Sequence, residues 1–302
     1  MADQLEEQSL GAASILYGPE RGRYPDGNSL LVRGREETVL IDPSLGVRPR
    51  FSELDDVSWC LASHCHEDHV AGLDLFADRP FLLHEADAPG IESLDNFLAI
   101  YGFPSEIEEP FRSVLTDQFH VVPRSDAGTF LDGARFDLGR ASITAIHTPG
   151  HTRGHCCLLV ESTESEPVLY LGDIDLSSFG PYYGDAWSNL DDFERSLALV
   201  RDIPAGRYAT FHHIGVLEHE AFIERLDKFS AVIASREQRL LSYLLEAPRS
   251  LDEIAQHRFV YRPGDAVLFA EPVEKRSMGQ HLDRLVRNGA VHEVEPGRFL
   301  AT

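Results

Sequence analysis

The chain has 302 residues, enough for two domains or for one large domain with an appendage. Its 50 Asp and Glu residues outnumber its 27 Lys and Arg residues, and the formal net charge of −23 excludes unaided binding of nucleic acid or anionic lipid through bulk electrostatics. A hydrophobic content of 43% excludes a disordered acidic chain, so we expect the charge on the surface of a folded protein.

The composition and the first residues also predict the environment of the protein. No run approaches the roughly 18 apolar residues of a membrane span, and the start is acidic where a signal peptide would be basic and then apolar. The four cysteines form no disulfide framework, so we expect reduced thiols and a cytoplasmic location. The bases are 25 arginines and two lysines, which with the many acids is typical of a halophilic protein. An acidic protein encoded by a GC-rich genome is the alternative.

Short β-like runs alternate with helical stretches over residues 1–232, which predicts a layered α/β domain. The runs are SLLVRG, ETVLID, VSWCLAS, PFLLHE, ASITAIHT, CCLLVES, PVLYLGD and RYATFHH. Between the fourth and fifth runs, residues 86–120 hold two amphipathic stretches. We expect a helical insertion there, placed to roof a site.

Residues 233–302 predict a second unit. They contain ten acids and ten bases, whereas residues 1–232 contain 40 acids and 17 bases. Three helical segments, the second opening on Ser250 as N-cap and the third closing on Asn-Gly, precede a β-hairpin-like end. This order resembles a winged helix. Because the charges balance, we expect no strong binding of duplex nucleic acid, and we expect the unit to pack on the first domain or to form a homodimer contact.

The strongest chemical signal is SHCHEDH, which follows the apolar run at 57–62. It places His64 and His66 on one side of an extended chain, with Asp68 and His69 following where a helix is expected to start. Three later segments, each after a β-like run, add His151, Asp173 and the adjacent pair His212 and His213. Imidazole and carboxylate ligands without thiolate suit Zn²⁺, Mn²⁺ or Fe²⁺ in an open catalytic site.

These four motifs, in this order, resemble the metallo-β-lactamase superfamily over about residues 12–232. The resemblance implies an αββα sandwich with two divalent metal ions, zinc being the first choice, at the strand ends along one edge. It implies His64, His66 and His151 as ligands of the first metal. It implies Asp68, His69 and His213 as ligands of the second, with Asp173 bridging; the small residues after His213 favour it over His212. Asp42 in LIDPS stands where the family's acid usually orients a ligand imidazole.

Three neighbours of these residues have simpler expected roles. Cys65 lies between two inward-facing histidines, so its side chain is expected to point away from the metals. His155 is expected to be a buried histidine engaged in hydrogen bonds, and His147 a residue beside the ligands rather than one of them.

A dinuclear site of this kind predicts hydrolysis. Two cations about 3.5–4 Å apart lower the pKa of a bridging water towards about 7, so a metal-bound hydroxide is the expected nucleophile, and the resemblance gives Asp68 a catalytic role. The stretch FGPYYGDAWSNLDDFERSL is similar to one in glyoxalase II, which favours a small ester or thioester substrate. The C-terminal part does not resemble a glutathione-binding domain. A metal-dependent endoribonuclease, a mono-iron sulfur or oxygen oxidoreductase and a binding protein remain as alternatives.

Overall fold

Two β-sheets stacked face to face form the centre of the computed structural model, which describes residues 6–265 and 267–302. The first sheet holds seven strands in chain order: β1 (Glu7–Leu10), β2 (Ala13–Leu16), β3 (Ser29–Arg33), β4 (Thr38–Ile41), β5 (Trp59–Leu61), β6 (Phe81–His84) and β7 (Gly128–Phe130). The pairs from β1 to β4 are antiparallel, and those from β4 to β7 are parallel. The carboxyl ends of β4, β5 and β6 therefore meet at one edge.

The second sheet has six strands, in the order β13-β12-β11-β10-β9-β8. They are β8 (Arg135–Asp137), β9 (Ala141–His147), β10 (Cys156–Ser162), β11 (Val168–Tyr170), β12 (Arg207–Ala209) and β13 (Val216–Leu217). Strands β11 and β12 are parallel, whereas the other pairs are antiparallel. Each of the eight predicted runs contains a strand. Strands β1, β2, β7, β8 and β13 were not predicted, because they are short or lie at sheet edges.

Helices flank the two sheets and form much of the C-terminal part. They are α1 (Pro19–Gly22), α2 (Ala88–Ile91), α3 (Leu94–Tyr101), α4 (Ser105–Ser113), α5 (Leu190–Arg201), α6 (His219–Glu246), α7 (Leu251–His257) and α8 (Ala270–Arg287). Short 3₁₀ segments at Leu45–Glu53 and Leu73–Phe76 and a π-helical turn at Val114–Gln118 add to them. None of the helices in the described ranges combines the length and apolar character that a membrane crossing requires.

Three hydrophobic cores hold these layers together. One lies between the sheets, where alternate residues such as Ile15, Leu30 and Ile143 are buried. Another packs α2–α4 on the first sheet, and a third packs α5 and the start of α6 on the second. The layer order is α, β, β, α, as expected. Helices α2–α4 occupy the segment 86–120 between β6 and β7.

The C-terminal part is built on a fourth core. It combines the end of α6 with α7, α8 and a sheet of order β14-β16-β15, whose strands are β14 (Arg249–Ser250), β15 (Val291–Glu295) and β16 (Arg298–Ala301). The predicted N-cap Ser250 is confirmed, because its hydroxyl accepts from the Glu253 N–H in a capping box. The boundary predicted between residues 232 and 233 falls inside α6, which runs unbroken from one core to the other.

Candidate metal centre

Polar loops leave the carboxyl ends of the strands at one edge of the two sheets, and they carry the predicted ligands. The loop after β5 holds His64, His66, Asp68 and His69; later loops hold His151, Asp173 and His212. Asp68 and His69 lie in a turn, not at the helix start expected from the sequence. The fold thus brings side chains separated by up to 148 positions to one place.

A first group of ligand atoms comes from His64, His66, His151 and Asp173, all within 4.8 Å of one another. The Nδ1 atom of His66 lies 3.1 Å from His64 Nε2 and 3.0 Å from His151 Nε2. All three histidines are buried, so these nitrogens converge where little water competes. Such a set can hold a divalent ion.

A second group consists of Asp68, His69 and His212, again within 4.8 Å. The structure places His212 here instead of the predicted His213: His212 Nε2 lies 3.0 Å from Asp68 Oδ2. His213 has a left-handed backbone, with φ of 60°, in a turn closed by the Thr210 hydroxyl, and its exposed side chain reaches only the rim of the adjacent cavity. Because the chain turns at His213, only His212 of the two successive histidines points into the site after β12.

Asp173 lies between the two groups. Its Oδ2 atom is 3.2 Å from His151 Nε2, and its Oδ1 atom is 3.0 Å from His69 Nε2. The preceding Gly172 has φ of 53°, and a Cβ there would lie 2.7 Å from His155 Nε2, so glycine is required for the chain to turn Asp173 inward.

In the histidines of the two groups, one ring nitrogen faces the other ligand atoms and the second ring nitrogen faces away from them. The Nδ1–H groups of His151 and His212 donate to the carbonyls of Tyr182 and Gly22, at 2.9 and 2.7 Å. His64 Nδ1 donates to the Ser63 hydroxyl at 3.0 Å. These acceptors place the proton on the outward nitrogen and leave the inward nitrogen as a lone-pair donor, which is the state a metal ligand needs.

Asp42 fulfils the role expected of it beside a ligand imidazole. Its Oδ2 atom accepts from His69 Nδ1 at 2.8 Å, from the Ser63 hydroxyl at 2.6 Å and from the Tyr170 hydroxyl at 2.9 Å. Its Oδ1 atom accepts from the Ser63 N–H at 2.6 Å. The carboxylate is fully buried, and His69 is thereby fixed with Nε2 facing Asp173.

Two acids important to this geometry were missed by the sequence analysis. Asp87 accepts from the Cys65 N–H, the Thr152 hydroxyl and the Gly154 N–H, so it ties the first ligand loop to the loop of His151. Asp185 lies with Oδ2 3.1 Å from His66 Nε2. Both sit in strand-end or Gly-rich segments, the one local signal that could have marked them.

The charges within the cluster are strongly coupled. Burial alone would lower the pKa of His66, but Asp185 raises it to about 9. Burial alone would raise the pKa of Asp173, but the facing imidazoles, His69 first, hold it well below its usual range. Burial together with the neighbouring His69 lowers the pKa of His64. The site therefore keeps ionised carboxylates at its centre.

The simpler expectations for Cys65 and His155 agree with the structure. Cys65 is buried in the core under α2 and α3, outside both groups, and burial raises the pKa of its thiol. His155 is fully buried; its Nδ1 meets the Thr148 side chain at 2.9 Å, and its Nε2 accepts from the Asp173 N–H at 3.1 Å. Burial lowers the pKa of His155 to about 3.

A cavity of about 390 Å³ opens above the two groups. Its floor includes His66, Asp68, His151, Asp173 and His212. Among the described residues that line it, none is lysine or arginine, and most of the remainder are aromatic. This volume lies within the range of roughly 300–1,000 Å³ typical of small-molecule sites.

Residues 23–228 match the model of the metallo-beta-lactamase superfamily. The chain belongs to this superfamily, and it is a metal-dependent hydrolase. The bovine and human proteins named acyl-coenzyme A thioesterase MBLAC2 are 31% and 30% identical to it over 219 residues, which is 62% of this chain and 76% of each relative. A Bacillus protein named N-acyl homoserine lactonase is 26% identical over 149 residues, 49% of both chains.

Solved structures show the same fold. A metallo-beta-lactamase family protein from Thermus thermophilus matches with a TM-score of 0.71 at 23% identity, over 96% of this chain and 99% of that one. A beta-lactamase domain protein from Burkholderia ambifaria matches with a TM-score of 0.69 at 16% identity, over 100% of this chain and 96% of that one. At these identities the likeness concerns the fold alone.

Proposed function

We propose that the chain is a dinuclear metal-dependent hydrolase of small esters or thioesters, with acyl thioesters as the first substrate class. The observation that carries the proposal is the position of Asp173, which presents one carboxylate oxygen to each group of inward-facing ligand atoms. The relatives named acyl-coenzyme A thioesterase support the substrate class.

The donor atoms present fit two divalent transition-metal ions. The first ion would be held by the inward nitrogens of His64, His66 and His151. The second would be held by Asp68, His69 and His212, with Asp173 shared. Imidazole nitrogen and carboxylate oxygen suit zinc first, and manganese or iron next. When bound, the ions would supply Lewis acidity that polarises the acyl carbonyl and makes water more acidic.

The chain's own residues define the rest of the reaction. Water adds to the acyl carbon, the carbon–sulfur or carbon–oxygen bond breaks, and the products are a carboxylate, a proton and a thiol or alcohol. We assign the acceptance of the proton released from water to Asp68, on the cavity floor. Tyr24 donates to Glu67 at 3.0 Å, and Tyr101 donates to the other oxygen of the same carboxylate, which fixes the turn that carries Asp68.

The cavity favours this function over the alternatives. An endoribonuclease must neutralise phosphates, yet no lysine or arginine lines the described part of the cavity. A mono-iron oxidoreductase would need only one group of ligands, whereas two groups are present.

The test combines metal analysis with a substrate panel. The protein, loaded with excess Zn²⁺ or Mn²⁺, should hold close to two ions per chain and should hydrolyse thioesters in preference to phosphodiesters, without consuming oxygen. Asp173→Ala should lose one ion and lower kcat/KM by more than about tenfold. Asp78→Ala is the matched control, because that carboxylate is 78% exposed, belongs to neither group and does not line the cavity.

A single tightly held ion in the wild-type protein would overturn the dinuclear proposal. Retention of more than about a tenth of the activity by Asp173→Ala would overturn its bridging role. If the protein cleaved phosphodiesters and hydrolysed neither esters nor thioesters, the site would be assigned to an endoribonuclease.

We also propose a winged-helix-like identity for the C-terminal part, supported by its helix order and three-stranded sheet. Its long helix α8 already faces the catalytic part. Arg276 donates to the carbonyls of Tyr101, Gly102 and Gly184, and Arg284 pairs with Asp191 at 2.6 Å. These contacts engage the arginines that a duplex would require, which supports the expectation of negligible duplex binding.

A further inference from the structure

The apolar part of the cavity above the metal ligands is walled by four separate segments of the chain. Tyr24 lies before β3, Tyr101, Phe103 and Phe111 belong to the helical segment 86–120, and Phe179 and Tyr182 follow β11. The segment between α7 and α8 adds Tyr261, Val267 and Phe269. The catalytic part therefore forms the floor, and the C-terminal part completes the wall.

Contacts between aromatic rings join the two parts of this wall. The ring of Phe269 stacks on that of Phe103, with centroids 5.7 Å apart and planes 10° apart. It also meets Phe111 edge-on with centroids 6.1 Å apart, and the rings of Tyr261 and Phe179 are in tilted contact with centroids 5.6 Å apart. Rings at these separations exclude water from the space between them.

Helix α8 holds the same wall in place by hydrogen bonds. Arg276 fixes the carbonyls of Tyr101 and Gly102 at the end of α3, both at 2.8 Å. Gln280 donates to the Tyr183 carbonyl at 2.9 Å and accepts from the Leu190 N–H at 2.6 Å. The segments that carry Tyr101 and Tyr182 are thus anchored to the C-terminal part.

Charged side chains are unevenly distributed over the cavity lining. The acidic lining residues are the ligands Asp68 and Asp173 together with Glu67, Asp175 and Asp185, whereas the C-terminal part contributes two rings and one valine. No lysine or arginine lines the cavity among the described residues. A reacting acyl carbon at the floor would therefore direct its hydrocarbon chain upward, and an anionic group would find no counter-charge there.

We propose that the C-terminal part is the acyl-binding wall of the enzyme and that it selects apolar acyl groups of medium length. This inference rests on the proposed hydrolase function, because it places the scissile carbonyl at the metal groups. It assigns Val267 and Phe269 as specificity-determining residues.

The first measurement is kcat/KM for a homologous series of acetyl, butyryl, hexanoyl, octanoyl and decanoyl thioesters of one uncharged thiol. Each methylene buried against the wall should raise kcat/KM by about fourfold, so octanoyl should exceed butyryl by on the order of a hundredfold. The increase should level off where the chain outgrows the cavity. A flat profile would overturn the inference.

The second measurement uses variants of the wall. Val267→Trp fills the cavity without removing packing and should lower the ratio of the octanoyl kcat/KM to the acetyl kcat/KM by about tenfold or more. Phe269→Ala should also lower kcat/KM for the octanoyl substrate, by raising KM. Leu268→Ala is the matched control, because that neighbouring side chain is 51% exposed and does not line the cavity.

Thermal melting of each variant separates a change of specificity from a loss of folding. If the octanoyl preference of Val267→Trp equals that of the wild-type protein, the C-terminal part does not form the acyl-binding wall.

A binding experiment separates failure of this inference from failure of the proposed function. Calorimetric titration with straight-chain alcohols of the same lengths requires no turnover. Tighter binding of longer alcohols by the wild-type protein, but not by Val267→Trp, would support the wall even if no thioester were hydrolysed. Binding that is independent of chain length would overturn it, whatever the hydrolytic activity.

Discussion

Replacing Asp42 by Asn would exchange one carboxylate oxygen for an amide NH₂ group, and three hydrogen-bond donors face the Oδ2 position. If the amide oxygen keeps the bond from the Ser63 N–H, the amide nitrogen faces the Nδ1–H of His69, which is 2.8 Å from the present oxygen. Two donors cannot share that contact, so His69 must move its proton to Nε2. A protonated Nε2 has no lone pair for a metal ion.

The expected loss follows from the number of bonds affected. The loss of an outer partner of a ligand histidine typically lowers metal affinity by about 10- to 100-fold, equivalent to about 1.4–2.7 kcal/mol. The three donors that face Oδ2 each lose a bond to a charged acceptor, so the free energy of unfolding of the metal-free protein should fall by about 2 kcal/mol or more.

Zinc titration against a competing chelator measures this effect, and circular dichroism shows whether the variant is folded. The second ion should bind about 10- to 100-fold more weakly in Asp42→Asn. Tyr170→Phe is the control, because it removes one bond to the same oxygen, 2.9 Å long, and leaves the proton on His69 Nδ1. Unchanged affinity for both ions in a folded Asp42→Asn protein would refute the assignment of His69 as an oriented ligand.

Three other perturbations follow from the structure. His212→Ala should remove the second ion whereas His213→Ala should retain it, and elemental analysis showing the reverse would restore the ligand chosen from the sequence. His281 forms hydrogen bonds with Tyr183 and Glu237, and burial lowers its pKa in the folded protein. As the pH falls below about 6.5, His281 therefore becomes protonated in the unfolded chain before it does so in the folded chain. The stability advantage of the wild-type protein over His281→Asn in urea should therefore shrink by up to about 1.4 kcal/mol per pH unit, and an advantage constant down to pH about 4.5 would contradict this. Because the Debye length falls from about 10 Å at 0.1 M to about 3 Å at 1 M salt, the melting temperature should rise in molar KCl; a flat or falling value would remove the inference of adaptation to salt.

The strands and ligands that the sequence predicted share one property: their signals are local. A run such as CCLLVES marks a buried strand by itself, and HCHEDH supplies four ligand side chains without reference to the rest of the chain. The choice between His212 and His213 depended instead on a turn. Its left-handed residue is His213 and not a glycine, so the sequence gives no local indication of the turn. Asp87 acts across 65 positions on Thr152, a pairing that spacing along the chain does not reveal.

The complete cavity wall could not be predicted from the sequence for the same reason, because it depends on contacts between distant segments of the chain. The helical segment 86–120 was expected to roof a site, and Tyr101, Phe103 and Phe111 do line the cavity. The contribution of Phe269 was not foreseen, because only the docking of α8 on the catalytic part brings that side chain to the site.

Helix α6 gives the molecule a property that neither of its parts would have alone. Its 28 residues bury Phe222 and Phe229 in the core of the catalytic part and Leu240 and Leu244 in the C-terminal core, with no break between them. Melting of either core would leave half of this helix without its packing partner, and an isolated amphipathic half-helix is marginal in water. We therefore expect the two cores to unfold as one cooperative unit, and we expect removal of the C-terminal part to expose one half of the helix that supports the second sheet.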